Sequence, residues 1–205
     1  MSSSQELFRR AGEAGAQLVL VHHGLFWRNE PLLVDRRLRG RLEALFAANL
    51  TLTAYHLALD AHPELGNNAL LAESLGATRE REFASIGAGA RFAEPVTIDD
   101  LTQRLGHATG RKPLVFAEGP ERIERVAVVT GGGGTRLVEA AHERYDALVT
   151  GEPEEPALQT ARELGIHFLA GGHYATETFG VKALAARLGD EFPLDWEFLD
   201  VENPV

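Results

Sequence analysis

Short apolar runs alternate along this chain with amphipathic stretches, and that alternation predicts the elements. Apolar runs bounded by Gly or polar residues read as strands over 17–21, 51–55, 126–130, 147–150 and 166–170. Between them, helical spacing predicts helices over 5–13, 36–48, 68–75, 98–105, 135–144, 157–164 and 181–188. In the second of these, Leu38, Leu42, Leu45 and Phe46 share one face. Thr97 precedes a helix with Asp99 and Asp100 in its first turn, an N-cap pattern. HLALDAHPELGNN, after the second strand, is punctuated by Pro and Gly and reads as mostly loop. Residues 78–125 give weaker signals: strand-like pieces within 83–92, at Val96 and over 114–117, read as a connecting unit. A late strand is expected over 197–200. Strands and helices in alternation make this an α/β fold.

The two ends of the chain repeat one order of elements. Residues 126–205 read strand, Gly loop, helix, strand, GE loop, helix, strand, HYATE loop, helix. Residues 1–77 read the same way with the leading strand removed. QELFRRAGEAGAQLVLVHHG lies over TRLVEAAHERYDALVTGE, and LTAYH over FLAGGH. The expectation is a single domain of two similar halves, 1–77 and 126–205, joined by 78–125, with strand ends facing a shared cleft. Any two βαβ units share some such similarity. Because the first half has no counterpart to 126–130, a strand preceding Met1 is expected to be missing.

Composition narrows the chemistry. The 205 residues are 44% apolar and 24% charged, an ordinary globular balance, with a net charge of −10. The acidic balance argues against nucleic acid or an anionic membrane as the main partner. The chain has no cysteine, which excludes disulfides, iron–sulfur clusters and thiolate zinc sites. Any metal must be held by His, carboxylate and water. No apolar run approaches the ~20 residues of a membrane span, and MSSSQELFRR lacks the apolar centre of a secretion signal. A cytoplasmic protein is the default expectation.

The histidines then stand out. LVLVHHGLFW runs an apolar strand into His22, His23 and Gly24. Ligand sites in open α/β sheets lie beyond the carboxyl ends of strands. Neighbouring side chains on a strand point to opposite faces, so both rings serve one site only if the strand breaks, which Gly24 permits. His56 and Asp60 are four apart after the next strand, and His173 and Glu177 four apart after the last. Such imidazoles and carboxylates suit Zn²⁺, Fe²⁺, Mn²⁺ or Ni²⁺. Five or six ligands exceed what one catalytic zinc uses, and paired ions that share and deprotonate one water fit the number better. Each residue also has a plainer account: Asp60 as a turn cap before Pro63, Glu177 as a first-turn helix acid. His62 and His107 read as solvated, and His142 and His167 lie inside elements and receive no role. The Gly131–134 run matches no phosphate-loop pattern and reads as a tight βα turn. Glu152 reads as a turn carboxylate with a supporting or substrate-facing alternative. Phe26, Trp27 and Tyr174 flank the expected site; core packing is the first reading, stacking on a planar base the second.

At these residues the chain resembles a known family. LVLVHHGLFW, AYHLALDAHPELGNN, VVTGGGG, ALVTGE and GGHYATETFGVKAL are similar, in order, to the motifs of the Nif-three-like dinuclear metal-centre family, whose members are often labelled GTP cyclohydrolase I type 2 homologues. The match covers nearly the whole chain, loosely over 78–125. By position it implies metal ligands at His22, His23, Asp60, His173 and Glu177, one of the paired histidines on each metal and a carboxylate bridging. His56 matches a histidine beside that site, a possible auxiliary. The family fold is a duplicated α/β sandwich, assembled as a toroidal homohexamer with metal centres facing inward. Two departures stand out: the family's N-terminal segment with its first strand is absent, and GEPEEPAL lacks the histidine or basic residue many members carry soon after GE. The large inserted domain of longer members is absent as well.

The expected function is a metal-dependent hydrolase with two divalent ions, acting on a purine nucleotide in the manner of a GTP cyclohydrolase; that substrate comes from the family label alone. No separate general acid or base is identified. The alternative is a metal-binding or metal-handling scaffold that acts through protein partners without turnover. A nucleic-acid regulator is disfavoured by the net charge.

Overall fold

In a computed structural model, which describes all residues except 28, 29 and 32, the chain is mixed α/β. In order, the elements are α1 (Gln5–Glu13), β1 (Leu18–Val21), α2 (Arg36–Ala47), β2 (Thr51–Ala54), α3 (Leu57–Asp60), α4 (Asn67–Ser74), β3 (Ala77–Phe83), β4 (Gly87–Val96), α5 (Ile98–Thr109), β5 (Leu114–Phe116), β6 (Ile123–Val129), a 3₁₀ turn (Gly133–Arg136), α6 (Leu137–His142), β7 (Ala147–Thr150), α7 (Ala157–Leu164), β8 (His167–Ala170), α8 (His173–Thr176) and α9 (Thr178–Glu191). None of the helices is long and apolar enough to cross a membrane among the described residues.

The chain divides into two compact units. The smaller comprises Met1–His56 and Val181–Asn203, the larger Leu57–Gly180 with Pro204–Val205. The expected halves at 1–77 and 126–205 follow a different division. Residues 78–125 do not merely connect: β3, β4 and β5 belong to the larger unit's six-stranded sheet, whose order is β3-β4-β6-β7-β8-β5.

In the larger unit β6, β7 and β8 are parallel, so their carboxyl ends lie along one edge. Alternate residues on these strands enter two separate cores, one on each face. Val126, Val128, Ala147, Val149 and Leu169 pack with Leu71 and Leu75 of α4 and Leu101 and Leu105 of α5. Ala127, Val129, Leu148, Phe168 and Ala170 pack with Leu137 and Ala140 of α6 and Ala157 and Ala161 of α7. Burial on both faces explains why these strands are continuous apolar runs. β3 is an edge strand, and its charged sequence, ATREREF, suits that place. The expected Thr97 cap is present as a full capping box: Thr97 Oγ1 accepts from Asp100 N–H, and the Asp100 carboxylate accepts from Thr97 N–H.

In the smaller unit β1 and β2 pair in parallel, Val21 opposite Ala54. Phe8 and Val21, both fully buried, centre a core with Leu7, Ala11, Leu45 and Leu50. Within the stretch expected to be mostly loop, residues 57–60 close a helical turn. Two expectations are corrected. Residues 197–200 form no strand; Leu199 packs on the core without a ladder partner. The helix expected over 181–188 begins earlier, at Thr178, directly after α8.

Truncating Phe8 removes the largest buried side chain of the smaller core. Phe8→Ala is expected to cost about 3–5 kcal/mol, measured as a lowered urea midpoint with unchanged m-value.

Candidate metal centre

The apolar strand β1 ends at Val21, and the chain breaks there rather than at Gly24. The N–H groups of His22 and His23 both donate to the Met1 carbonyl, at 2.9 and 3.0 Å. Two successive amides aimed at one oxygen defeat the strand alternation, and the two rings lie with centroids 4.7 Å apart. Both side chains are buried.

Each ring is held at Nδ1. His22 Nδ1 lies 2.9 Å from the Tyr55 carbonyl. A carbonyl only accepts, so Nδ1 carries the proton and Nε2 the lone pair. His23 Nδ1 lies 3.0 Å from Ser2 Oγ. Ser3 Oγ donates to the His23 carbonyl at 3.0 Å. His56, which follows β2 and is exposed, brings a third ring nitrogen within 4.8 Å of those of His22 and His23.

The larger unit builds its set from three strand ends and a helical turn. His173 opens α8 beyond β8, and one turn on, Glu177 faces the same way; His173 Nε2 and Glu177 Oε2 are 3.0 Å apart. On the other side His173 Nδ1 meets Glu152 Oε1 at 2.5 Å, so Glu152 is not an idle turn residue but the group that orients this ring. Asp60, at the end of α3, and Glu177 are each 4% exposed. A carboxylate oxygen of one lies within 4.8 Å of one on the other.

Two asparagines fix this pair. Asn67 Nδ2 donates to Asp60 Oδ1 at 2.8 Å, while Asn67 Oδ1 accepts from Gly180 N–H at 2.7 Å, three residues beyond Glu177. Asn68 Nδ2 donates to the Asp60 and Ile86 carbonyls, and its Oδ1 accepts from Thr130 N–H at 2.7 Å. Beside Thr130, Gly131 has φ +63° and presses on the glutamate: a Cβ there would stand 2.0 Å from Glu177 Oε1. Its N–H donates to Thr176 Oγ1, and its carbonyl accepts from Thr150 Oγ1 and from the N–H groups of Gly151 and Glu152. The Gly run is thus a tight βα turn as expected, and that turn also seats Glu177.

Burial alone would lower the pKa of His173. Hydrogen bonds and charge from Glu177 and Glu152 outweigh it and hold the group above its ordinary value of 6.5. Of the other histidines, His167 is structural, flanked at its two ring nitrogens by Gly119 N–H and the Pro120 carbonyl. His62 accepts from Glu64 and Leu65 N–H in an exposed turn, and His107 is exposed, in line with the solvated reading. Phe26 is no core residue, being 74% exposed, and Trp27 is half-exposed against the His23 ring at 4.7 Å.

These groups fit divalent transition metals. An imidazole anchored at Nδ1 with its lone pair on Nε2, as at His22, matches the usual support of a metal-ligating histidine, and the carboxylates are hard donors buried close together. A family model described as Duf34/NIF3 (NGG1p interacting factor 3) matches residues 1–204. The chain belongs to this family. A protein of Escherichia coli K12 named GTP cyclohydrolase 1 type 2 homolog is 42% identical over 206 residues, covering 100% of this chain and 83% of that protein. Two solved structures of the family's fold align with it. Protein ybgI, described as of unknown function, has TM-score 0.96 at 42% identity; TTHA1606 from Thermus thermophilus has TM-score 0.92 at 39%. Each covers 100% of this chain, which spans 83% of each. For this member of the Duf34/NIF3 family, buried His, Asp and Glu groups able to hold a metal ion are therefore present.

Loss of an orienting partner should weaken metal binding more than it weakens the fold. Asn67→Ala and Glu152→Ala are each expected to lower Zn²⁺ affinity by about 10–100-fold, read by competition with a chromophoric chelator. Proton competition supplies a second expectation. Without metal, the raised His173 pKa stabilises the fold below pH 6.5 and that contribution is lost as pH rises through the raised value. An ion held at His173 would have the opposite sign, because it would displace the same proton. Thermal melts with and without Zn²⁺ across pH 5–9 should therefore diverge as pH rises, and parallel curves would contradict it.

Proposed function

We propose that this protein is a metal-dependent hydrolase whose centre takes two divalent ions, with Zn²⁺, Fe²⁺, Mn²⁺ and Ni²⁺ as the metals its donors suit. In this reading His22, His23, Asp60, His173 and Glu177 are the ligands, with His56 and Glu152 as auxiliaries. That the histidines of the smaller unit and the donors of the larger unit serve one centre is carried by the sequence motifs shared with the family. The observation that carries metal dependence is the larger unit's own: two buried carboxylates with oxygens within 4.8 Å, beside a histidine whose far nitrogen is fixed by Glu152. Like charges buried so close call for a cation between them.

When bound, a pair of divalent ions supplies Lewis acidity and lowers the pKa of water enough to give a nucleophile at neutral pH. The residues of this chain supply placement. Tyr55 and Ser2 set the tilt of His22 and His23, Asn67 turns Asp60, and Gly131 leaves room for the Glu177 carboxylate. Trp27 offers a half-exposed aromatic face beside His23, and the neighbouring Phe26 is exposed, both suited to stacking on a planar base. That feature and the name carried by the 42%-identical relative make a purine nucleotide such as GTP the proposed substrate, opened at its ring by water. The proposed assembly is a toroidal homohexamer in the cytoplasm; the exposed Leu33, Val34 and Phe46 are apolar surface available for self-association.

Elemental analysis of the purified protein is expected to give two divalent ions per chain, with GTP consumption that stops on chelation and returns on reloading. Asp60→Ala should lose metal and reduce turnover at least about a hundredfold. Full metal occupancy without hydrolysis of nucleotides, phosphoesters or peptides would overturn the hydrolase in favour of a metal-handling scaffold. Turnover unaffected by metal removal would overturn both.

A further inference from the structure

Residues that follow β1 and the first turns of α2 line a cleft of about 250 Å³ in the smaller unit, with Phe26, Trp27 and Leu38 as apolar wall and Glu30, Arg37 and Arg41 as charged groups. Small-molecule sites begin at ~300 Å³ and combine an apolar lining with a few placed polar groups. This cleft has that make-up, with room for one ring system and an open side for what the ring carries. Trp27 also borders the histidines, its ring 4.7 Å from that of His23 and 5.9 Å from that of His56.

The charges in the cleft do not cancel. Arg37 and Arg41 are one turn apart on α2 and share a face. Glu30 is engaged by the first of them: its two oxygens accept from Arg37 Nη1 and Nη2 at 2.7 and 2.8 Å. Asp35, the N-cap of α2, accepts from Leu38 N–H at 2.7 Å and stands 3.8 Å from Arg37 Nε. Both nearby acids therefore serve Arg37, and they act on Arg41 only at a distance. Among the described residues Arg41 has no hydrogen-bond or ion-pair partner. It is nonetheless half-buried, and burial, followed by the like charge of Arg37, pulls its pKa below the ordinary guanidinium value. A guanidinium that is drawn from water without a carboxylate gains most from an anion with two oxygens to offer. In a chain of net charge −10, a cleft whose described charges sum to a cation is also a departure from the surface at large.

We propose that this cleft seats the nucleotide, with Trp27 stacking on the base and Arg41 binding a phosphate. The inference deepens the nucleotide reading above and rests on its substrate class. It adds the residue that selects a phosphorylated nucleoside over an unphosphorylated one, and it requires no metal for binding.

The test uses the full chain in excess chelator and reads Trp27 directly. The chain has two tryptophans, so Trp196→Phe leaves Trp27 as the sole indole. In that background GTP is expected to quench the fluorescence saturably, and guanosine to bind at least about tenfold more weakly. Arg41→Met keeps the apolar stem and removes the charge. It should weaken GTP at least about tenfold and leave guanosine unchanged, with circular dichroism and melting temperature as in the parent. Raising ionic strength should weaken GTP and not guanosine, a second reading that needs no variant at Arg41. Guanosine binding as tightly as GTP, or GTP affinity indifferent to both Arg41→Met and salt, would overturn the inference. GTP turnover that needs metal but shows no Trp27 quenching and no effect of Arg41→Met would overturn it while leaving the hydrolase standing. Binding that follows Arg41 in a protein without turnover would support it and remove the hydrolase.

Discussion

Two carboxylates that a folded chain keeps out of water, within reach of each other, are the constraint on which this structure turns. Asp60 and Glu177 are each 4% exposed, with oxygens no more than 4.8 Å apart. Removing a carboxylate from water costs several kcal/mol even after relaxation, and a second one close by adds repulsion. A protein tolerates this where the pair is hydrogen-bonded and a cation can join it. The surroundings meet the first condition in detail. Asn67 and Asn68 reach from the first turn of α4 to Asp60, to the start of α9 and to the end of β6. Gly131 is a glycine because any side chain would occupy the space of the Glu177 carboxylate.

The fold follows the same requirement. Parallel strands bring their carboxyl ends to one edge, and β6, β7 and β8 deliver Gly131, Glu152 and the His173 turn there. The cores on the two faces of that sheet hold those ends in place, since close-packed interiors transmit small shifts rather than absorb them. The smaller unit repeats the principle with two strands: β1 ends in His22 and His23, β2 in Tyr55 and His56. In each unit one histidine is aimed by a group on the neighbouring strand end: His22 by the Tyr55 carbonyl and His173 by the Glu152 carboxylate.

Much of this is legible in the sequence, for identifiable reasons. Strands buried on both faces announce themselves as unbroken apolar runs, and a His-His pair after such a run places itself at a strand end. β3 is not legible, because an exposed edge strand written ATREREF carries no apolar run, and β4, rich in small residues, shows only as strand-like pieces. Glu152 reads as a turn residue because its partner, His173, is 21 positions away. Asn67 and Asn68 read as an ordinary helix start because the amides they accept from, Gly180 N–H and Thr130 N–H, lie far along the sequence, and only folding makes them neighbours. Gly24 permits a break that is in fact made by the Met1 carbonyl, a contact that spacing does not encode. The strand expected at 197–200 has the right residues but no partner edge, and a strand exists only as a pair.

X-ray absorption at the metal edge of the Zn²⁺-loaded protein tests the central claim most directly. The account predicts a first shell of mixed nitrogen and oxygen at about 2.0–2.2 Å, with the outer-shell scattering of imidazole rings and a metal–metal vector of about 3.5–4 Å. A first shell of oxygen alone, with neither imidazole scattering nor a second metal, would contradict it.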